Sequence, residues 1–174
     1  MSGESWPQRR SQGDGRDLTG LTMGPGCVIE DGVRIFHPET VTLGDRVYIG
    51  HDAILKGHPH GRLRIGSGTW IGQQCYFNSA GDITIGEGVG IGPGVNILTS
   101  EHTATEPGIP VLLTPLGFSD VVVGDGADIG VRTVLLPGCR VGAHSIIGAG
   151  AVVTGEVPER SIAAGVPARV LRPR

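Results

Sequence analysis

The sequence predicts an all-β chain wound into a parallel β-helix: a triangular prism of about six coils with one long protruding loop. Three observations carry this. The first is a stride of six. From Met23 the landings are Met23, Ile29, Ile35, then Leu43, Ile49, Leu55, then Ile65, Ile71, Phe77, then Ile85, Ile91, Ile97. After one break they resume at Val123, Ile129, Leu135, Val141, Ile147 and Val153, and all eighteen are apolar. A fixed short period marks a repeat architecture, and six is neither the 3.6 of a helix nor the alternation of a half-buried strand.

The second observation is that the landings group in threes. Surplus residues occur only between triplets: two after Ile35, four after Leu55, two after Phe77 and twenty after Ile97. Three short strands therefore make one coil of eighteen residues, and every insertion leaves the prism from the same edge. Insertions in repeat proteins map to one face, often the binding face.

The third observation is the residue after each landing. On the first two sides of the later coils it is glycine (Gly44, Gly50, Gly66, Gly72, Gly86, Gly92, Gly124, Gly130, Gly142, Gly148). These read as sharp corners that need permissive φ. On the third side the same slot holds Phe36, Lys56, Asn78, Leu98, Leu136 and Thr154, so the third edge is open and decorated. Stacking at ~4.8 Å per coil follows from ordinary strand spacing. Residues 1–20 read as a polar arm with Trp6 as its candidate anchor, 21–157 as the β-helix with loop 98–122, and 158–174 as a C-terminal tail.

Composition narrows the function classes. A length of 174 residues suits one domain, and a net charge of −3 without a basic stripe argues against a nucleic-acid surface. No apolar run approaches a membrane span and no secretory signal opens the chain, which points to a cytoplasmic protein. Cys27, Cys75 and Cys139 each fall four residues after a landing, in a slot shared with Val47, Ala53, Thr69, Val89 and Ala127. They read as small buried hydrophobes rather than redox or metal groups, as suits a reducing compartment. Arg169, Arg172 and Arg174 form the one basic cluster, either a solvated tail or a phosphate site.

The long insertion carries a histidine in TSEHTATEPG (99–108), followed by IGVRTVLLPG (129–138), IGAGAVVT (147–154) and GVPARV (165–170). In these motifs the chain resembles the hexapeptide-repeat acyltransferase superfamily. It is most similar there to the maltose, galactoside and nodulation-factor O-acetyltransferases and related sugar O-acyltransferases. The resemblance implies a left-handed β-helix, a homotrimer, acetyl-CoA or another acyl-CoA as co-substrate, no metal, and a sugar-type acceptor.

The resemblance places His102 at the family's catalytic position. A neutral imidazole, with a reference pKa of ~6.5, can take the proton of an acceptor hydroxyl and return it to the leaving thiolate. Glu101 and Glu106 are the candidates to orient the ring. Asn78, in a Phe77-Asn78 pair matching the family's acceptor-binding turn, and Asp82 are the acceptor candidates, although the residues after Asn78 depart from the family pattern. Trp70 and Tyr76 are read as facing a sugar ring or packing a trimer contact. For the cofactor, the resemblance implies main-chain amides at Val131 and Ala149, the first as an oxyanion donor. Thr154, Arg169 and Arg172 match positions near the nucleotide end. Asp128 and Gly155 stand where many members have tryptophan and lysine.

Other classes fit less of the chain. An amine acceptor would make the enzyme an N-acetyltransferase on an amino or nucleotide sugar. IGHDAILKGHPH is similar to the γ-class carbonic anhydrases, whose zinc needs three histidine ligands, but Lys56 occupies one ligand position. A non-catalytic solenoid scaffold predicts regular outward ladders and no singular loop, contrary to the 98–122 insertion.

Overall fold

The computed structural model describes residues 13–103 and 107–174. Three parallel sheets form the sides of a prism, and each turn of the chain adds one strand to each. The first sheet runs from Thr22–Met23 through Val41–Leu43, Leu63–Ile65, Ile83–Ile85, Val121–Val123 and Arg140–Val141 to Glu156–Val157. The second begins at Val28–Ile29 and includes Tyr48–Ile49, Trp70–Ile71, Gly90–Ile91, Asp128–Ile129 and Ile146–Ile147. The third comprises Arg34–Phe36, Ile54–Lys56, Tyr76–Asn78, Asn96–Leu98, Val134–Leu135 and Val152–Val153.

The strands pair landing on landing: Leu43 with Ile65, Ile49 with Ile71, Leu55 with Phe77. Strand side chains alternate between faces, so this register stacks the landings into one interior column. Sixteen of the eighteen are buried; Ile29 is half-buried and Met23 is 54% exposed. Those two belong to the first coil, which has no coil beneath it. The small slot is interior, with Val47, Ala53, Thr69, Cys75, Val89, Ala127 and Cys139 all buried, but Cys27, in the first coil, is only half-buried. Burial pushes the Cys75 thiol up to about 11 and the Cys139 thiol up to about 12.

The corner glycines are required for a different reason from the one expected. None of the ten has a positive φ. They are crowded by the next coil: a Cβ on Gly92 would stand 2.7 Å from the Val131 nitrogen, and one on Gly124 2.6 Å from the Ala143 nitrogen. The left-handed conformation falls instead on the third residue after a landing. Arg46, Asp52, Gln74, Arg132 and His144 adopt it there alongside Gly68, Gly88 and Gly126.

The prism has a seventh coil, one more than the stride suggests. Val157 and Ala163 are its buried inward residues. The segment expected as a tail supplies strand Ser161–Gly165 to the second sheet, and Ala168–Pro173 pairs with it antiparallel, closing that sheet's growing edge. Of the arm, residues 13–20 are described, and the Gly15 carbonyl accepts the Ile35 amide at 2.7 Å. Trp6 lies outside the described residues. Among the described residues, no helix is long and apolar enough to cross a membrane.

Candidate active site

All insertions leave from the edge joining the third sheet to the first. The largest becomes an arm rooted in an antiparallel hairpin, Ser100–His102 against Leu116–Phe118, with His102 opposite Leu116. Smaller insertions hold the short 3-10 turn Pro38–Thr40 and the His58–Gly61 bridge.

Between hairpin and prism lies an open groove of about 740 Å³, lined by His102, Asn78, Lys56, Phe36 and Phe118 among others. Phe36, Lys56 and Asn78 are register partners on successive coils and sit one residue after an inward landing, so they share the outward face. His102, Glu101, Leu116 and Phe118 form the facing wall.

The His102 ring is oriented by backbone. Its Nδ1 lies 3.0 Å from the Thr114 carbonyl oxygen. A carbonyl can only accept, so Nδ1 carries a hydrogen, and in the neutral ring Nε2 then keeps its lone pair, which is the form a general base needs. Of the two carboxylates expected to orient the ring, Glu101 is not its partner, and Glu106 lies outside the described residues. Thr114 is itself fixed by hydrogen bonds to Val111 from both its amide (3.0 Å) and its hydroxyl (2.6 Å).

Asn78 is half-buried in the groove wall, and its Oδ1 is buried without a hydrogen-bond partner. Such an atom is costly to leave unsatisfied. Asp82 is not brought to the groove: its carboxylate accepts the Arg62 amide at 2.9 Å and pairs with Arg64 at 3.5 Å. Trp70 and Tyr76 also lie apart from it. Trp70 stacks on Tyr48 on the second sheet, ring centroids 5.5 Å apart, while Tyr76 shares the strand of Asn78 but does not line the groove.

The residues assigned to the cofactor do not line the groove. Val131 and Ala149 occupy equivalent positions two residues after Ile129 and Ile147, at the edge between the second and third sheets, and both are exposed. Thr154 and Arg169 share a separate depression of about 200 Å³. Arg172 stands elsewhere, opposite Ile162. Sequence reasoning missed Phe36, Lys56 and Phe118 as groove residues. The signal for two of them was present, since Phe36 and Lys56 fill the slot that singled out Asn78.

Residues 120–155 match the family described as bacterial transferase hexapeptide (six repeats). Over those residues the chain resembles the hexapeptide-repeat transferases. The chain is 32% identical over 132 residues to a probable acetyltransferase of Mycobacterium tuberculosis, covering 76% of the chain and 44% of that relative. It is 34% identical over 116 residues to the galactoside O-acetyltransferase of Escherichia coli, covering 62% of the chain and 55% of that relative. The chain thus spans about half the length of these curated relatives. Among solved structures it superposes with a TM-score of 0.77 on AntD, an N-acyltransferase from Bacillus cereus in complex with dTDP and 3-hydroxybutyryl-CoA. That match has 20% identity and covers 90% of this chain and 85% of AntD, a likeness of fold. The resemblance to the hexapeptide-repeat acyltransferases, read from the motifs between 129 and 170, is therefore upheld.

Proposed function

We propose that this protein is a CoA-dependent acyltransferase that moves an acetyl group to a hydroxyl of a sugar or sugar-containing small molecule. The observation that carries the reading is His102, tied at Nδ1 by the Thr114 carbonyl and lining the groove that holds the orphaned Oδ1 of Asn78. Nε2 takes the proton of the acceptor hydroxyl as its oxygen attacks the thioester carbon. The carbon–sulfur bond breaks, and the same proton passes to the departing thiolate, giving an ester and free CoA. Asn78 Oδ1 accepts a hydrogen bond from a second donor on the acceptor and fixes its pose.

The acyl donor is assigned to the Val131 and Ala149 amides, with Thr154, Arg169 and Arg172 toward its phosphates. Val131 and Ala149 lie on a different edge of the prism from His102, so a complete site needs a neighbouring copy, which supports the homotrimer. A reducing cytoplasm suits the three unpaired thiols.

The test is a thiol-release screen of acyl-CoAs against sugars, amino sugars and nucleotide sugars. Acetyl-CoA with a hydroxyl acceptor is expected to release thiol and leave a product that hydroxylamine cleaves. An amide product, resistant to hydroxylamine, would instead establish the N-acyl reading, which the fold shared with AntD favours. No reaction with any acceptor, together with no binding of CoA, sinks both.

A further inference from the structure

The groove holds a cation for which base catalysis by His102 has no use. Lys56 is the only lysine of the chain, and among the described residues it makes no ion pair. Its backbone is fixed: the Lys56 carbonyl accepts the Ser79 amide at 3.0 Å and the Ser79 hydroxyl at 3.2 Å. Only the flexible stem and ammonium remain adjustable, and they belong to the groove wall between Phe36 and Asn78.

The neighbouring carboxylates are committed elsewhere or stand opposite. Asp82 holds the Arg62 amide and Arg64, Glu39 lies 3.2 Å from His37, and Glu101 is exposed on the hairpin wall. His58, also in the groove, is held below the usual histidine range by burial and by His60, His37 and Lys56, so it is neutral at pH 7.

One coil away, in register with Lys56, stands Asn78, whose Oδ1 is buried and unpartnered. The two residues stand on neighbouring strands, whose backbones lie about 4.8 Å apart, and their side chains make two complementary demands. The ammonium offers donors and wants an anionic acceptor, and the amide oxygen wants a donor. A neutral sugar satisfies only the second. A pyranose carrying an acid group near a free hydroxyl satisfies both, with its apolar face against Phe36 or Phe118.

We propose that the acceptor is an acidic sugar, whose carboxylate or phosphate is bound by Lys56 while a neighbouring hydroxyl donates to Asn78. Lys56 is then a specificity-determining residue. This rests on reading the groove as the acceptor site, but its test needs no acyl transfer.

The test is equilibrium binding to the full chain by calorimetry at low ionic strength, without acyl donor. Glucuronate and galacturonate form one arm, glucose 1-phosphate and galactose 6-phosphate the other, and each is compared with its neutral parent. At least one acidic member is expected to bind about tenfold more tightly than its parent, the value of one charge-assisted contact. That advantage should collapse toward one in Lys56→Gln, persist in Lys56→Arg, and weaken as salt is added. The arm that shows it identifies carboxylate or phosphate. Equal or weaker binding of every acidic member, or an advantage that survives Lys56→Gln, overturns the proposal. Failure of the acyltransferase reading would look different: acceptors would bind with the stated preference, yet no thiol would be released from any acyl-CoA.

Discussion

His102→Ala is expected to lower kcat about 10²–10⁴-fold, the usual worth of general acid–base catalysis. The circular dichroism spectrum should stay unchanged, because the ring contributes nothing to the core column. A variant with full activity would remove His102 from the reaction. The sequence made His102 and Asn78 legible because an insertion and a register slot both single out particular side chains. The Thr114 carbonyl was not legible, since a backbone acceptor leaves no mark in residue identity. Lys56 was visible in the slot of Asn78, but there it stands only where a zinc-binding relative would have histidine. The buried cysteines give a second test. Burial raises their thiol pKa values from 9.0 to about 11 at Cys75 and about 12 at Cys139. Above pH 9 the unfolded chain sheds these two protons while the folded chain keeps them. Stability is then complete below pH 9 and falls as pH rises toward the folded values. Urea midpoints should decline across pH 9–11, and Cys139→Ala should flatten part of that decline. A flat profile in the parent protein would refute the assignment.

At the scale of the element, the corners separate two uses of glycine that sequence alone runs together. Gly92 has no room, because its Cβ would meet the Val131 nitrogen at 2.7 Å. Gly88 has room, with nothing within 4 Å, but a φ of +61°. Gly92→Ala should therefore cost about 1–3 kcal/mol by overpacking, since the backbone it meets cannot move without disturbing the next coil. Gly88→Asn should be nearly neutral, because asparagine tolerates the left-handed region. Equal urea midpoints for the two variants would contradict this account. The strands themselves were legible because their inward positions are large and apolar at constant spacing. The seventh coil escaped because the step from Val153 to Val157 is four rather than six, and its next inward residue is the small Ala163.

At the scale of the whole molecule, two features fit a chain that does not act alone. The arm exposes Ile109, Val111, Leu112, Leu113, Leu116 and Phe118, with Val111 at 53% and Phe118 at 52%. Contiguous apolar surface of this kind marks an interaction site. Val131 and Ala149, assigned to the acyl donor, moreover lie on an edge of the prism away from the groove. A second copy would answer both, covering the arm and bringing its own donor-binding edge to His102. In the homotrimer proposed above each prism meets such a copy, and light scattering is expected to give three times the 18.0 kDa mass of the chain. The pair Leu112→Glu and Leu113→Glu should lower that mass and the transfer rate together. The prism should survive the change, because the hairpin at the root of the arm pairs with itself rather than extending any of the three sheets. Loss of activity with a trimer intact would confine the arm to acceptor binding. A monomer with undiminished transfer would show that one prism suffices, and the cofactor assignment at Val131 and Ala149 would fall with the assembly.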